Sequence, residues 1–116
     1  MLPREVRKYL FDVAQACDFL VQFTKEKTFT DYASDPLLRS AVERQFEIIG
    51  EALKQALSLD TSLSSRVSGS SRIIAFRNRL IHGYASVSNE VVWGIVEANL
   101  PTLCREVEAL LKEAGN

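Results

Sequence analysis

Only three prolines and five glycines punctuate these 116 residues, too few for the many turns an all-β protein needs. No apolar run approaches the roughly 20 residues that cross a bilayer. The N-terminal Met1-Leu2-Pro3-Arg4-Glu5 lacks the continuous apolar stretch of a signal peptide, and charge returns at Arg7, Lys8 and Asp12. A cytoplasmic protein is therefore expected. A single histidine and two distant cysteines, Cys17 and Cys104, supply no ligand set for structural zinc, so no metal bound by them is expected. In a reducing compartment the two thiols should be buried and unjoined, although one disulfide is open to them in principle. What remains is 47% hydrophobic and 25% charged, the balance of a globular chain, and its length suits one domain over residues 1–116.

Charge is informative only once mapped. Fourteen basic residues against fifteen acidic ones give −1, which excludes a generic polyanion binder. Between Asp60 and Glu90, however, there is no acidic residue, while Arg66, Arg72, Arg77, Arg79 and the sole histidine, His82, fall inside that stretch. Such a cationic segment suits a small anionic ligand or RNA. A row of solvated arginines is the plain alternative.

Apolar periodicity predicts helices almost throughout. Val6, Leu10, Val13, Cys17 and Leu20 form a 3.6-residue stripe behind Pro3, and Thr28 to Ser34 reads as a loop. Ser34 or Asp35 caps a second helix with Pro36 in its first turn, carrying Leu38, Val42, Phe46, Ile49 and Leu53. Asp60-Thr61-Ser62 breaks it, and Leu63 to Val67 forms one short turn. A further helix is expected from about Ser71 to His82, with Gly83 as its left-handed C-terminal residue. Ser88 caps a last helix, which Pro101 should kink because it removes the amide bond to Glu97. The expected fold is an all-α antiparallel bundle of four to five helices.

One segment holds chemistry: Phe76-Arg77-Asn78-Arg79-Leu80-Ile81-His82-Gly83-Tyr84. Asn78 and His82 lie one helical turn apart, so the amide is placed to orient the imidazole. His82 falls at the helix C-terminus, where the dipole favours a protonated ring. A histidine that moves protons beside a guanidinium that stabilises phosphorane oxygens is the equipment of phosphodiester chemistry. The same residues also describe an ordinary helix ending, with His82 on terminal carbonyls and Tyr84 packed back on the bundle.

The segment resembles the Arg-x4-His-x-Tyr motif of HepT-like HEPN proteins, the toxin half of HepT/MntA toxin–antitoxin pairs. Two further blocks are similar to the same family: Ala41-Val42-Glu43-Arg44-Gln45-Phe46-Glu47-Ile48-Ile49-Gly50-Glu51-Ala52, and Val92-Trp93-Gly94-Ile95-Val96 followed by Leu100-Pro101-Thr102-Leu103. The three blocks run in the family's order from residue 41 to residue 103. The chain departs from the pattern before Arg77, where a Pro–Trp pair common in the family is replaced by Val67-Ser68-Gly69-Ser70-Ser71-Arg72.

The resemblance implies a metal-independent endoribonuclease of a type VII toxin–antitoxin pair, cleaving tRNA or mRNA with no cofactor. The substrate's own 2′-OH attacks phosphorus and leaves a 2′,3′-cyclic phosphate. By position, His82 would be the general acid/base, Arg77 the phosphorane stabiliser and Asn78 the residue orienting His82. Arg72 and Arg79 would contact RNA phosphates. Tyr84 would be the site at which an MntA-like nucleotidyltransferase attaches AMP and silences the toxin. The family is also homodimeric, and the chemistry points the same way: in-line cleavage is helped by two proton-transfer groups, and one copy supplies a single histidine. On the second helix, Gly50 suits a close helix–helix approach. Glu51 is placed to fix the guanidinium of Arg77 or Arg79, unless it is simply a solvated glutamate. A non-catalytic helical module that binds a nucleotide or the nucleotidyltransferase remains the alternative function.

Overall fold

Tyr32, fully buried although it stands in a segment with loop-like composition, shows how closely the chain is packed. The computed structural model describes residues 2–115; the side chains of Tyr84 and Ala114 lie outside that description. Among the described residues there are six α-helices and no strand: α1 Arg4–Thr24, α2 Phe29–Ser34, α3 Pro36–Leu59, α4 Ser70–His82, α5 Asn89–Ala98 and α6 Leu100–Gly115. Short 3-10 turns at Thr61–Ser65 and Tyr84–Ser86 flank α4. The molecule measures 44 × 29 × 19 Å, and the smallest dimension holds about two helix layers.

The long helices start where capping chemistry dictates. Asp35 accepts hydrogen bonds from the amides of Leu37 and Leu38, and Pro36 occupies the first turn, where its missing N–H costs nothing. Ser88 accepts from the amide of Val91 to start α5. Pro101 does more than kink the last helix. The chain breaks at Asn99, whose amide still reaches the Ile95 carbonyl at 2.9 Å, and Pro101 becomes tolerable in the first turn of α6.

Three further expectations need correction. Thr28 to Ser34 is not a loop: a capping box pairs the Thr28 hydroxyl with the Asp31 amide and the Asp31 carboxylate with the Thr28 amide. Those bonds from Thr28, the amide first, hold the Asp31 carboxyl below its ordinary range. The helix is then anchored by Tyr32, whose ring lies 5.4 Å from that of Trp93 on α5. Gly83 ends α4 at φ −122°, ψ 38° rather than in the left-handed region, because the chain continues into the 3-10 turn instead of reversing. The short turn expected at Leu63 to Val67 begins earlier, at Thr61, because Asp60 caps it through the Ser62 amide.

α1 packs between α3 and α6, and α4 lies along the other side of α3. Val6, Leu10, Val13, Leu20, Val42, Phe46 and Ile49 are fully buried in this core, each contributing about 1.5–3 kcal/mol of apolar burial. The rings of Phe46 and Phe76 meet edge to face at 5.4 Å and fix α4 against α3. Cys17 and Cys104 are free thiols on α1 and α6. Cys17 is buried, whereas Cys104 is only half-buried. No helix among the described residues is long and apolar enough to cross a membrane.

Candidate active site

The chemistry-bearing residues lie on α4, and their positions are set by how that helix begins and what it rests on. Its entry is tied down by α6: Glu106 accepts from the amide and hydroxyl of Ser68 at 2.9 and 2.7 Å. Gly69 then takes a positive φ of 72° and serves as the N-cap, a conformation open to glycine without strain. This is how the segment lacking the Pro–Trp pair still delivers a well-defined helix start.

Arg77 is the most constrained of the site residues. Its stem lies directly on Gly50 of α3: a Cβ at position 50 would stand 2.2 Å from the Arg77 Cβ and 2.6 Å from its Cγ. Only glycine admits that crossing. The guanidinium is then held at both ends, with Nη2 2.8 Å from Glu51 Oε2 and Nη1 donating to Asn78 Oδ1 at 3.0 Å. Gln55, one turn beyond Glu51, donates to Glu51 Oε1 at 3.2 Å and steadies the carboxylate. The Arg77 side chain is only 17% exposed, and its buried Nε has no acceptor among the described residues. It faces a cavity of about 270 Å³ whose other walls include Tyr9 and Asp12 of α1, Glu47 of α3 and Ile81 of α4.

His82 closes α4 and is exposed. It stands five positions beyond Arg77, so the two side chains leave the axis about 140° apart. The exposed arc between them carries Asn78 and Ile81, the latter 42% exposed. One copy of the chain thus presents Arg77 and His82 at the two edges of one surface, not converged on a point.

The expected Asn78–His82 contact is replaced by another. The Asn78 oxygen is engaged by Arg77, whose stem lies in the space that Gly50 leaves open and whose head comes beside Asn78. Among the described residues His82 makes no hydrogen bond or ion pair. Arg79 is exposed, and its Nη2 donates to the Ser86 carbonyl at 3.0 Å, strapping the Tyr84–Ser86 turn onto the helix end. The same turn is closed by the Ser86 hydroxyl on the Gly83 carbonyl at 2.7 Å. Tyr84 is carried on that turn, with its side chain outside the described ones. Arg72 is exposed on nearly the same face of α4 as Arg79, two turns nearer the N-terminus.

The acid-free stretch is less cationic in space than along the chain. Glu113 of α6 pairs with Arg66 at 2.6 Å, and Glu51 of α3 pairs with Arg77. Arg72 and Arg79 are its arginines without a carboxylate partner among the described residues. Sequence reasoning missed Gln55 and the α1 wall made by Tyr9 and Asp12. The i, i+4 spacing of Glu51 and Gln55 is a signal for the first; nothing local announces the second.

Compared with known proteins, residues 13–110 match the family described as "Ribonuclease HepT-like". A candidate RNase of Caldanaerobacter subterraneus subsp. tengcongensis is 34% identical, covering 92% of this chain and 95% of its own. A candidate RNase of Methanocaldococcus jannaschii is 30% identical over 97% of this chain and 93% of its own. The "Probable ribonuclease HepT" of Thermococcus cleftensis is 33% identical over 96% of this chain and its full length. No solved structure matches.

Proposed function

Because the chain belongs to the HepT-like ribonuclease family, we propose that it is a metal-independent endoribonuclease toxin, acting on tRNA or mRNA and silenced by AMP attached to Tyr84. The same reading takes residues 1–116 as one HEPN-type domain that works as a homodimer in the cytoplasm. The observation that carries it is Arg77, laid over Gly50 and gripped by Glu51 and Asn78 on the helix that ends in exposed His82. A buried apolar or capping role needs none of that support. A guanidinium that must meet a phosphate in fixed orientation does.

In the reaction, the ribose 2′-oxygen forms a bond to phosphorus as the bond from phosphorus to the 5′-oxygen breaks. A base takes the 2′-OH proton and an acid returns one to the leaving 5′-oxygen. The products are a 2′,3′-cyclic phosphate and a 5′-OH. Arg77 stabilises the added negative charge on the phosphorane oxygens, and His82 carries a proton. Since Arg77 and His82 diverge on one α4, a two-fold pair facing across their exposed arcs supplies a guanidinium and an imidazole on each side of one phosphate, and two histidines for the two proton transfers. Arg72, exposed and without a carboxylate partner among the described residues, and Arg79 two turns along flank that face as phosphate contacts. AMP on Tyr84 places bulk and negative charge on the turn that Arg79 straps next to His82.

The second reading, a non-catalytic module that binds a nucleotide or a nucleotidyltransferase, draws on one observation: both terminal nitrogens of Arg77 are already engaged. End-group analysis separates the two. Total RNA is incubated with the purified protein in EDTA, with Tyr84 confirmed unmodified by mass. New 5′-OH and cyclic-phosphate ends, lost on replacing the 2′-OH by hydrogen at a mapped site, support the ribonuclease. Intact RNA supports the binding module.

A further inference from the structure

The N-terminal half of α1 builds a second charged surface that the active-site reading does not use. Arg4, Arg7, Lys8 and Phe11 leave the helix within an arc of about 100°, and together with Lys112 and Glu108 of α6 they line a groove of about 570 Å³. Phe11 is 59% exposed. Among the described residues, Arg4, Arg7 and Lys8 make no ion pair, and the buried Nε of Arg7 has no acceptor. The groove's one carboxylate, Glu108, lies 3.5 Å from Lys112. On a chain of net charge −1, three unpaired cations have gathered around one exposed ring. They do so at the positive end of a helix, where cations are unfavourable to the helix itself.

This groove adjoins the Arg77 cavity. Tyr9 lines that cavity, its sequence neighbour Lys8 lines the groove, and Lys8 Nζ stands 5.9 Å from the Tyr9 ring. A chain leaving Arg77 across Tyr9 therefore arrives among Lys8, Arg4 and Arg7, with Phe11 at hand. Spaced cations around an aromatic face match the phosphates and unstacked bases of single-stranded nucleic acid. Duplex RNA, whose bases are already stacked, has no use for Phe11.

We propose that the α1–α6 groove binds the single-stranded part of the RNA substrate beyond the scissile phosphate, with Arg4, Arg7 and Lys8 on phosphates and a base stacked on Phe11. The proposal rests on the ribonuclease reading above and extends it to the substrate's structure: this protein selects unpaired RNA.

The test is fluorescence anisotropy with a labelled single-stranded 12-nucleotide RNA, 2′-O-methylated throughout so that it cannot be cleaved. Phe11→Ala is expected to weaken binding about tenfold. The double variant Arg4→Ala/Lys8→Ala should weaken it at least as much and lower the slope of log affinity against log salt by about 1.4, from about 0.7 per lost phosphate contact. Circular dichroism checks that each variant folds. Variants that bind as tightly as the wild type, or a duplex of the same sequence that depends equally on Phe11, overturn the proposal. So does Phe11→Ala changing the oligomeric state in sedimentation, which would make the groove a contact between copies. Cleavage of the unmodified oligonucleotide by wild type distinguishes the failures. If it is cleaved while the variants bind normally, only the groove is refuted. If it is neither bound nor cleaved, the ribonuclease reading falls as well.

Discussion

Gly50 and Arg77 occupy the same crossing: a methyl group on the glycine would overlap the first two carbons of the arginine side chain, at 2.2 and 2.6 Å. Neither atom is the free end of a flexible chain, so relief requires α3 and α4 to separate. On helix propensity alone Gly50→Ala would stabilise α3 by about 1 kcal/mol, whereas overpacking of this kind costs about 1–3 kcal/mol. The expected outcome is a small net loss of thermal stability with at least a tenfold loss of RNA cleavage. Calorimetry and initial rates check it; a more stable and fully active Gly50→Ala protein contradicts the account.

Glu51 pairs with the guanidinium of Arg77. The pair is short at 2.8 Å, but the Glu51 side chain is 46% exposed, and solvent screening limits its stabilising effect to about 1 kcal/mol or less. Glu51→Gln should therefore leave the melting temperature nearly unchanged and lower kcat several-fold with little change in KM, because the guanidinium is present but loosely aimed. Equal activity in Glu51→Gln and wild type would show the carboxylate to be an ordinary surface charge.

Much of this was legible in the sequence, and the exceptions have physical reasons. Asp35 and Pro36 mark the start of α3 because capping is local chemistry. Gly50 and Glu51 stood out because a mid-helix glycine needs a cause and a neighbouring acid can face an arginine. α2 escaped notice although Thr28 and Asp31 have capping-box spacing. Six residues make a marginal helix alone, and burial of Tyr32 against Trp93, far away in sequence, holds it in place. The bond from Arg77 to Asn78 was hidden because i, i+4 spacing suggests Asn78–His82, while the crossing at Gly50 decides otherwise. The neutralisation of Arg66 by Glu113 depends on how α6 packs, which periodicity does not give.

The cysteine pair predicts a pH dependence. Its partner Cys104, and then burial, push the Cys17 thiol well above the ordinary value near 9, while the hydrogen bond from Cys17 holds Cys104 below it. Below about pH 9 the folded chain releases the Cys104 proton earlier than the unfolded chain, so this term stabilises as pH rises. Above about 9 the unfolded chain ionises at Cys17 and the fold does not, so stability falls. Melting temperatures from pH 7 to 11 should show this crest in wild type and a flatter profile in Cys17→Ala. Superimposable profiles would remove the pair from the account. Alkylation of the native protein should modify Cys104 and spare Cys17.

The divergence of Arg77 and His82 on one α4 predicts shared sites. A dimer with one His82→Ala subunit should lose far more than half of the wild-type rate, measured on tandem-tagged heterodimers. Retention of half would mean that each copy cleaves independently.

The central claim, that Arg77 and His82 perform RNA cleavage, is tested most directly on one defined oligonucleotide in EDTA. Wild type, Arg77→Ala and His82→Ala are compared with Tyr84 verified free of AMP. The account predicts cleavage to a 2′,3′-cyclic phosphate by wild type and at least a hundredfold loss in each variant. Equal rates in all three proteins, or no cleavage by correctly folded, unmodified wild type, would contradict it.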